Sequence, residues 1–274
     1  MELESLLSNS QNLPSIPEVV RDLLKSFNDD RANIGAIAKK IALDQSLSGK
    51  VLRLANSARY GLSRKIASID DAIMILGFAT LRTLVVASGL TSAFKPPATL
   101  DMKLFWRRCL ATASYSAWLA KKGGHREDVG FSGGLMLHVG VILLHMEEPE
   151  KSQSIDKATE LGGSRSEIER AVFGFTHIDV SSELAVRWNF PDEIIGGMQD
   201  YADPSTTASF APYGAIYRIA DFVADALIRD LETDVLKEGF PYDLVRELGM
   251  DPDDVFSSIP PLNQVLEGLE ELIC

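Results

Sequence analysis

Cysteine is nearly absent: the 274 residues contain two, Cys109 and Cys274. They lie far apart, so neither a disulfide framework nor a cysteine-based zinc cluster is read, and a reduced, cytoplasmic compartment is the default expectation. Basic charge is also short. Lys plus Arg number 27 against 39 Asp plus Glu, a net charge of −12. That balance opposes the phosphate-backbone electrostatics of nucleic-acid binding and attraction to an anionic membrane surface. No run approaches the roughly 18 consecutive apolar residues of a membrane span. The opening MELESLLSNSQNLP lacks the basic-then-apolar pattern of a targeting segment. Neither a GxxxxGK(S/T) phosphate loop, nor a GxGxxG turn after a strand, nor a GxSxG elbow occurs. Strand-type alternation is scarce.

What is present is helical periodicity. Val19, Val20, Leu23, Leu24 and Phe27 fall at helical spacing, as do Ile34, Ile37 and Ile41. Ser68-Ile69-Asp70-Asp71 reads as a capping box opening a helix that stops near Gly77. A second candidate box, Ser164 to Glu167, precedes IERAVFGF. Asp101 is placed to cap a long helix from Met102 to about Lys122, closed by Gly123-Gly124. A further helix is expected from about Tyr213 to Leu231, with Ile216, Tyr217, Ala220, Val223 and Leu227 on one face. The class is all-α. KPPATLD (95–101) divides an N-terminal helical unit from a second one, and ADPSTTASFAP (202–212) reads as a loop.

The stretch GGLMLHVGVILLH (133–145) carries two of the chain's four histidines. An acidic residue after His138 would complete a pair suited to a metal, but Val139 stands there. His138 therefore reads as a core histidine bonded to a backbone carbonyl or a carboxylate. His145 reads as a helix-end residue favoured by the carbonyl dipole. His177 reads as an opener of the next helix, and His125 as a surface loop residue. Trp106, Trp118 and Trp188 read as core anchors. Asn56 and Ser57 are open between a partner contact and a local helix stop. Cys109 lies on an apolar helix with no base nearby in sequence, against a nucleophile role.

Several segments together resemble the HDOD family, an output domain of bacterial signalling proteins. They are NLPSIPEVVRDLL (12–24), IAKKIALDQSLSGKVLRLANSARYG (37–61), IASIDDAIMILGFATLRTLVV (66–86), LFWRRCLATASYSAWLA (104–120), FSGGLMLHVGVILL (131–144) and EIERAVFGFTHIDVSSELAVRWNFPDEI (167–194). The resemblance implies an HDOD domain over 12–205, made of an N-terminal helical unit (12–95) and an HD-like unit (99–205). Residues 206–274 are expected to be a helical extension packing on it.

HDOD domains are similar to HD-type metal-dependent phosphohydrolases. The HD site takes a His from an early helix, a consecutive His-Asp pair and a distant Asp. Here those positions fall at Arg108 (or Cys109, one residue off), at His138 and Val139, and at Asp221. Gln199-Asp200-Tyr201 stands where a late pair of histidines often occurs in the family. One ligand has become apolar and another a fixed cation, which repels a divalent ion.

The resemblance thus implies a degenerate cleft of Arg108, His138 and Asp221, holding a salt bridge or a small ligand, with no metal, no cofactor and no catalytic residues. The expected function is a non-catalytic signalling or protein-interaction module. Its partners would be signalling proteins, with a small nucleotide as a candidate ligand and neither nucleic acid nor membrane. The alternatives are a surviving metal-dependent nucleotide phosphohydrolase and a nucleotide-binding pseudoenzyme.

Overall fold

The computed structural model describes residues 3–8, 15–27, 33–57, 60–62, 64–205 and 210–272. Leu13 and Pro14 of the LPSIP entry, residues 206–209 of the expected loop, and Cys274 lie outside the described residues. Those described form helices and no strand.

The first six helices are α1 (Leu3–Ser8), α2 (Glu18–Lys25), α3 (Ile34–Leu43), α4 (Gln45–Ala55), α5 (Ile69–Leu76) and α6 (Phe78–Ala93). Local chemistry sets these boundaries. Asp44 ends α3 and caps α4, its carboxylate accepting from Leu47 N at 3.0 Å. Ser68 caps α5 by accepting from Asp71 N, and Gly77, at φ 82°, separates α5 from α6. Asn56 closes α4 with both ends of its amide: Nδ2 donates to Leu52 O at 2.7 Å and Ile66 O at 2.8 Å, and Oδ1 accepts from Ile66 N at 2.7 Å.

The long helix α7 (Met102–Lys122) follows, its first turn capped by Asp101 accepting from Lys103 N and Leu104 N. Against it pack α8 (Glu127–Met136) and α14 (Pro212–Ile228). Between them in sequence come α9 (Gly140–Glu147), α10 (Pro149–Glu160), α11 (Arg165–Phe173), α12 (His177–Arg187) and α13 (Asp192–Gln199). Short helices α15 (Thr233–Gly239), α16 (Tyr242–Glu247), α17 (Pro252–Ser257) and α18 (Leu262–Leu266) follow, and α18 returns to α7. There Tyr115 donates to Pro260 O at 3.0 Å.

Several expectations need correction. Within the 133–145 stretch, residues 137–139 form a tight turn between α8 and α9, with Val139 N bonding Met136 O and Val141 N bonding His138 O. Gly140 permits the break to sit against α12, since a Cβ there would collide with the His177 carbonyl. The late helix stops at Ile228, short of Leu231, because the chain turns through Asp230 at φ 53°. Ser164 precedes α11 but makes no side-chain cap bond. The working box is Thr176 with Asp179, each bonded to the other's backbone N–H at the start of α12. Trp106 and Trp188 are buried on either side of Phe94, but Trp118 is only half-buried, with Lys122 over its ring.

Among the described residues, only Glu127–Glu147 has the length and apolarity to cross a membrane, and 94% of that window is buried inside the fold. Its helical run is the one interrupted at His138.

Helices α6 and α8 meet through a charged joint. Arg82 of α6 pairs with Asp128 of α8, both buried, and donates to Ser26 O at 3.1 Å while its guanidinium lies 3.8 Å over the Phe27 ring. Arg126 adds a 3.3 Å contact to the same carboxylate.

Candidate functional site

Asp221 is the convergence point of the cleft. It sits on the buried face of α14, and three groups reach it from three other places in the chain. The turn before α9 supplies His138, whose Nε2 lies 2.6 Å from Oδ1. Helix α7 supplies Arg108, with Nη2 at 3.4 Å from the same oxygen and Nη1 at 3.2 Å from Asp225 Oδ1. After α13, Tyr201 donates its hydroxyl to Oδ2 at 2.7 Å. The structure therefore brings together the three positions singled out in sequence, and Arg108 rather than Cys109 faces the cleft. Cys109 is fully buried, and burial pushes its thiol far above the usual range, which removes a thiolate role.

The network continues beyond these residues. His138 Nδ1 is 3.0 Å from His177 Nε2, and His177 Nδ1 is 2.6 Å from Glu169 Oε2. Glu169, with no exposed side-chain surface, also accepts from His177 N at 2.7 Å and from Arg165 at 3.2 Å. Arg165 pairs with Asp156 in turn. His145 Nε2 lies 3.1 Å from Asp156, and His145 Nδ1 is 3.0 Å from Thr99 Oγ1 in the segment linking α6 to α7. A continuous polar chain thus runs from α14 through α12, α11 and α10 to the linker.

Burial and charge oppose each other along this chain. Burial alone would raise the Asp221 carboxyl, but His138 and Arg108, with hydrogen bonds from His138 and Tyr201, hold it far below the ordinary range. Glu169 behaves alike: burial would raise it, yet His177 and Arg165 bring it from 4.5 to about 2. Burial lowers His138 against the pull of Asp221, and Arg108 and His177 add to the lowering. Burial, then the Asp221 charge, lift Tyr201 well above its ordinary value and keep it a donor.

A divalent ion of the kind the resemblance implies needs several converging lone pairs. Among the described residues no group of three or more His, Cys, Asp or Glu is arranged to hold one. Val139 is buried and apolar, and Arg108 places a permanent positive charge beside Asp221. The donor set does not fit such an ion.

Sequence reasoning missed most of the chain. His177 and Glu169 are eight residues apart across a turn, and only the Thr176–Asp179 box hinted that His177 is held in place. His145 is in the last turn of α9 as expected, but it is fully buried and holds the linker. His125 is half-buried against Tyr213, 5.8 Å between ring centroids, and is not a free surface residue. Asn56 and Ser57 close α4, where the Asn56 amide is spent on the backbone.

Against known proteins, the family model for the HDOD domain matches residues 13–204. A solved structure of a provisionally designated phosphohydrolase from Shewanella amazonensis is 26% identical with a TM-score of 0.78, covering 98% of this chain and 96% of that one. An HDOD domain protein of unknown function from Geobacter sulfurreducens is 25% identical with a TM-score of 0.77, covering 93% and 91%. A provisionally designated signal transduction protein from Marinobacter aquaeolei shares the fold at 20% identity and a TM-score of 0.73, covering 97% of this chain and 59% of that one. An uncharacterized protein of Treponema pallidum is 23% identical over 197 residues, 70% of this chain and 38% of that protein. The uncharacterized YuxH of Bacillus subtilis is 27% identical over 141 residues, 52% and 34%. The matched segments thus span little more than a third of these curated relatives.

Proposed function

Since this chain belongs to the HDOD domain family, we propose that it is a non-catalytic signal-transduction and protein-interaction module whose HD-type cleft is degenerate. The observation that carries the reading is Arg108 beside Asp221 at 3.4 Å, with His138 closing on the same oxygen at 2.6 Å. A fixed guanidinium does the charge balancing that a divalent ion would do, and it supplies no activated water. Glu169 and Asp221 are held ionised and Tyr201 is held protonated, so none of these three is poised near neutral pH as a general acid.

In this reading 12–95 and 99–205 form the HDOD domain, and the 206–274 extension completes the cleft by contributing Asp221. Partners are signalling proteins reached through the helical surface, in the cytoplasm, without nucleic acid or membrane; the net charge of −12 supports the last two.

The test is an assay of phosphodiesterase and phosphatase activity on nucleotides and model esters with manganese, iron or zinc added. No turnover above background is expected. The competing reading, a metal-dependent phosphohydrolase, is favoured by the designation of the Shewanella neighbour. Turnover that disappears in His138→Ala or Asp221→Ala establishes it instead.

A further inference from the structure

A cavity of about 400 Å³ opens beside the Arg108–His138–Asp221 cluster. Its lining combines apolar Leu100, Leu104, Phe105, Val141 and Ile228 with charged Arg108, Arg165, Arg229, Asp156, Glu160 and Asp225. The three arginines already have anions. Arg108 is held by Asp221 and Asp225, Arg165 by Asp156 and Glu169, and Arg229 by Asp225 at 3.4 Å. The carboxylates are in excess: Asp221, Asp225, Asp156 and Glu169 already serve three arginines, Asp101 caps α7, and Glu160 on the cavity wall forms no ion pair with a described residue. An entering phosphate or carboxylate would compete with the side-chain carboxylates already set on these arginines, in a chain at −12. An entering cation meets the Glu160 carboxylate, free of an ion pair, and the attractive field of the carboxylate excess.

We infer that this cavity is a binding site for a small organic cation with an apolar body, an alkyl- or arylamine or a guanidine, and that phosphate esters are excluded. The inference rests on the metal-free reading of the neighbouring cluster. The body packs on Leu104, Val141 and Ile228, and the cationic head lies toward Glu160 and Asp156. The wall that closes over the body is the interunit segment. Thr99, Leu100 and Asp101 line the cavity, and Thr99 is tied to His145 and so to Asp156. Occupancy is therefore felt by the segment that joins the two helical units.

The experiment uses a matched pair of probes, phenethylamine and phenylacetate, with inorganic phosphate as a third. Each is titrated into the full chain at constant ionic strength, followed by thermal shift and amide hydrogen exchange. Phenethylamine is expected to raise the melting temperature saturably and to protect amides at 99–105 and 225–229. Phenylacetate and phosphate are expected to do neither. Glu160→Gln, at an exposed position, weakens the amine by roughly two- to fivefold, the range of a partly solvated charge pair. Leu104→Trp, at the exposed rim, narrows the cavity and removes the local protection. Stronger binding of phenylacetate or phosphate, no binding of phenethylamine, or an amine effect unchanged in Leu104→Trp overturns the inference. Ester hydrolysis by the same preparation would instead strike the non-catalytic reading, so the two failures are separable.

Discussion

His138 and His177 stack with ring centroids 5.2 Å apart and approach each other nitrogen to nitrogen at 3.0 Å. Their outward nitrogens meet carboxylates, His138 with Asp221 and His177 with Glu169, each at 2.6 Å. The two rings thus link the Asp221 carboxylate on α14 to the Glu169 carboxylate on α11 through one buried line of contacts.

Stability should fall as pH is lowered from 7. His138 is depressed below its ordinary value, so what it contributes is present above about pH 6.5 and lost below it. Glu169 and Asp221 are depressed carboxyls, contributing above their ordinary range and losing it as pH falls toward their folded values. The three signs agree. For Glu169 the shift from 4.5 to about 2 corresponds to about 3 kcal/mol. Urea unfolding at pH 7, 5 and 4 checks this, and Glu169→Gln should flatten the acid limb.

Arg108→Met should destabilise the fold. With 31% of its side chain exposed, the expected cost is about 1–3 kcal/mol, below the 3–5 kcal/mol of a fully buried pair. Asp221→Asn in the same background should recover part of it. A double-mutant cycle with no coupling energy would show that the pair does not act as one.

Asn56→Ala removes three hydrogen bonds and leaves Ile66 N and two carbonyls without the amide that served them. A loss of about 1–3 kcal/mol is expected, read by chemical denaturation. A loss of partner binding with stability unchanged would point to the contact role for Asn56 and Ser57.

Asp128→Leu strips the joint of its anion while Arg82 stays buried, at a cost of about 3–5 kcal/mol. Hydrogen exchange should rise first at α2, α6 and α8. Uniform exchange across the chain would argue against a local joint.

The helices were legible because caps and periodicity are local: Asp101, Ser68 and Gly77 act where the sequence places them. Arg108, His138 and Asp221 were named through the resemblance, and His138 and Arg108 lie 2.6 and 3.4 Å from Asp221 Oδ1. Tyr201, His177, Glu169 and the linker tie of Thr99 to His145 were not legible, because each contact depends on how helices cross, and no spacing in the chain encodes a crossing. The turn at 137–139 was hidden by uniform apolarity, which reads alike in a continuous helix and a buried break.

The central claim is that a guanidinium, and no metal, balances Asp221. Elemental analysis of protein produced with iron, manganese and zinc supplied, compared with His138→Ala prepared in parallel, tests it most directly. The account predicts only trace metal in both. A stoichiometric metal ion in the parent chain that disappears in His138→Ala would contradict it.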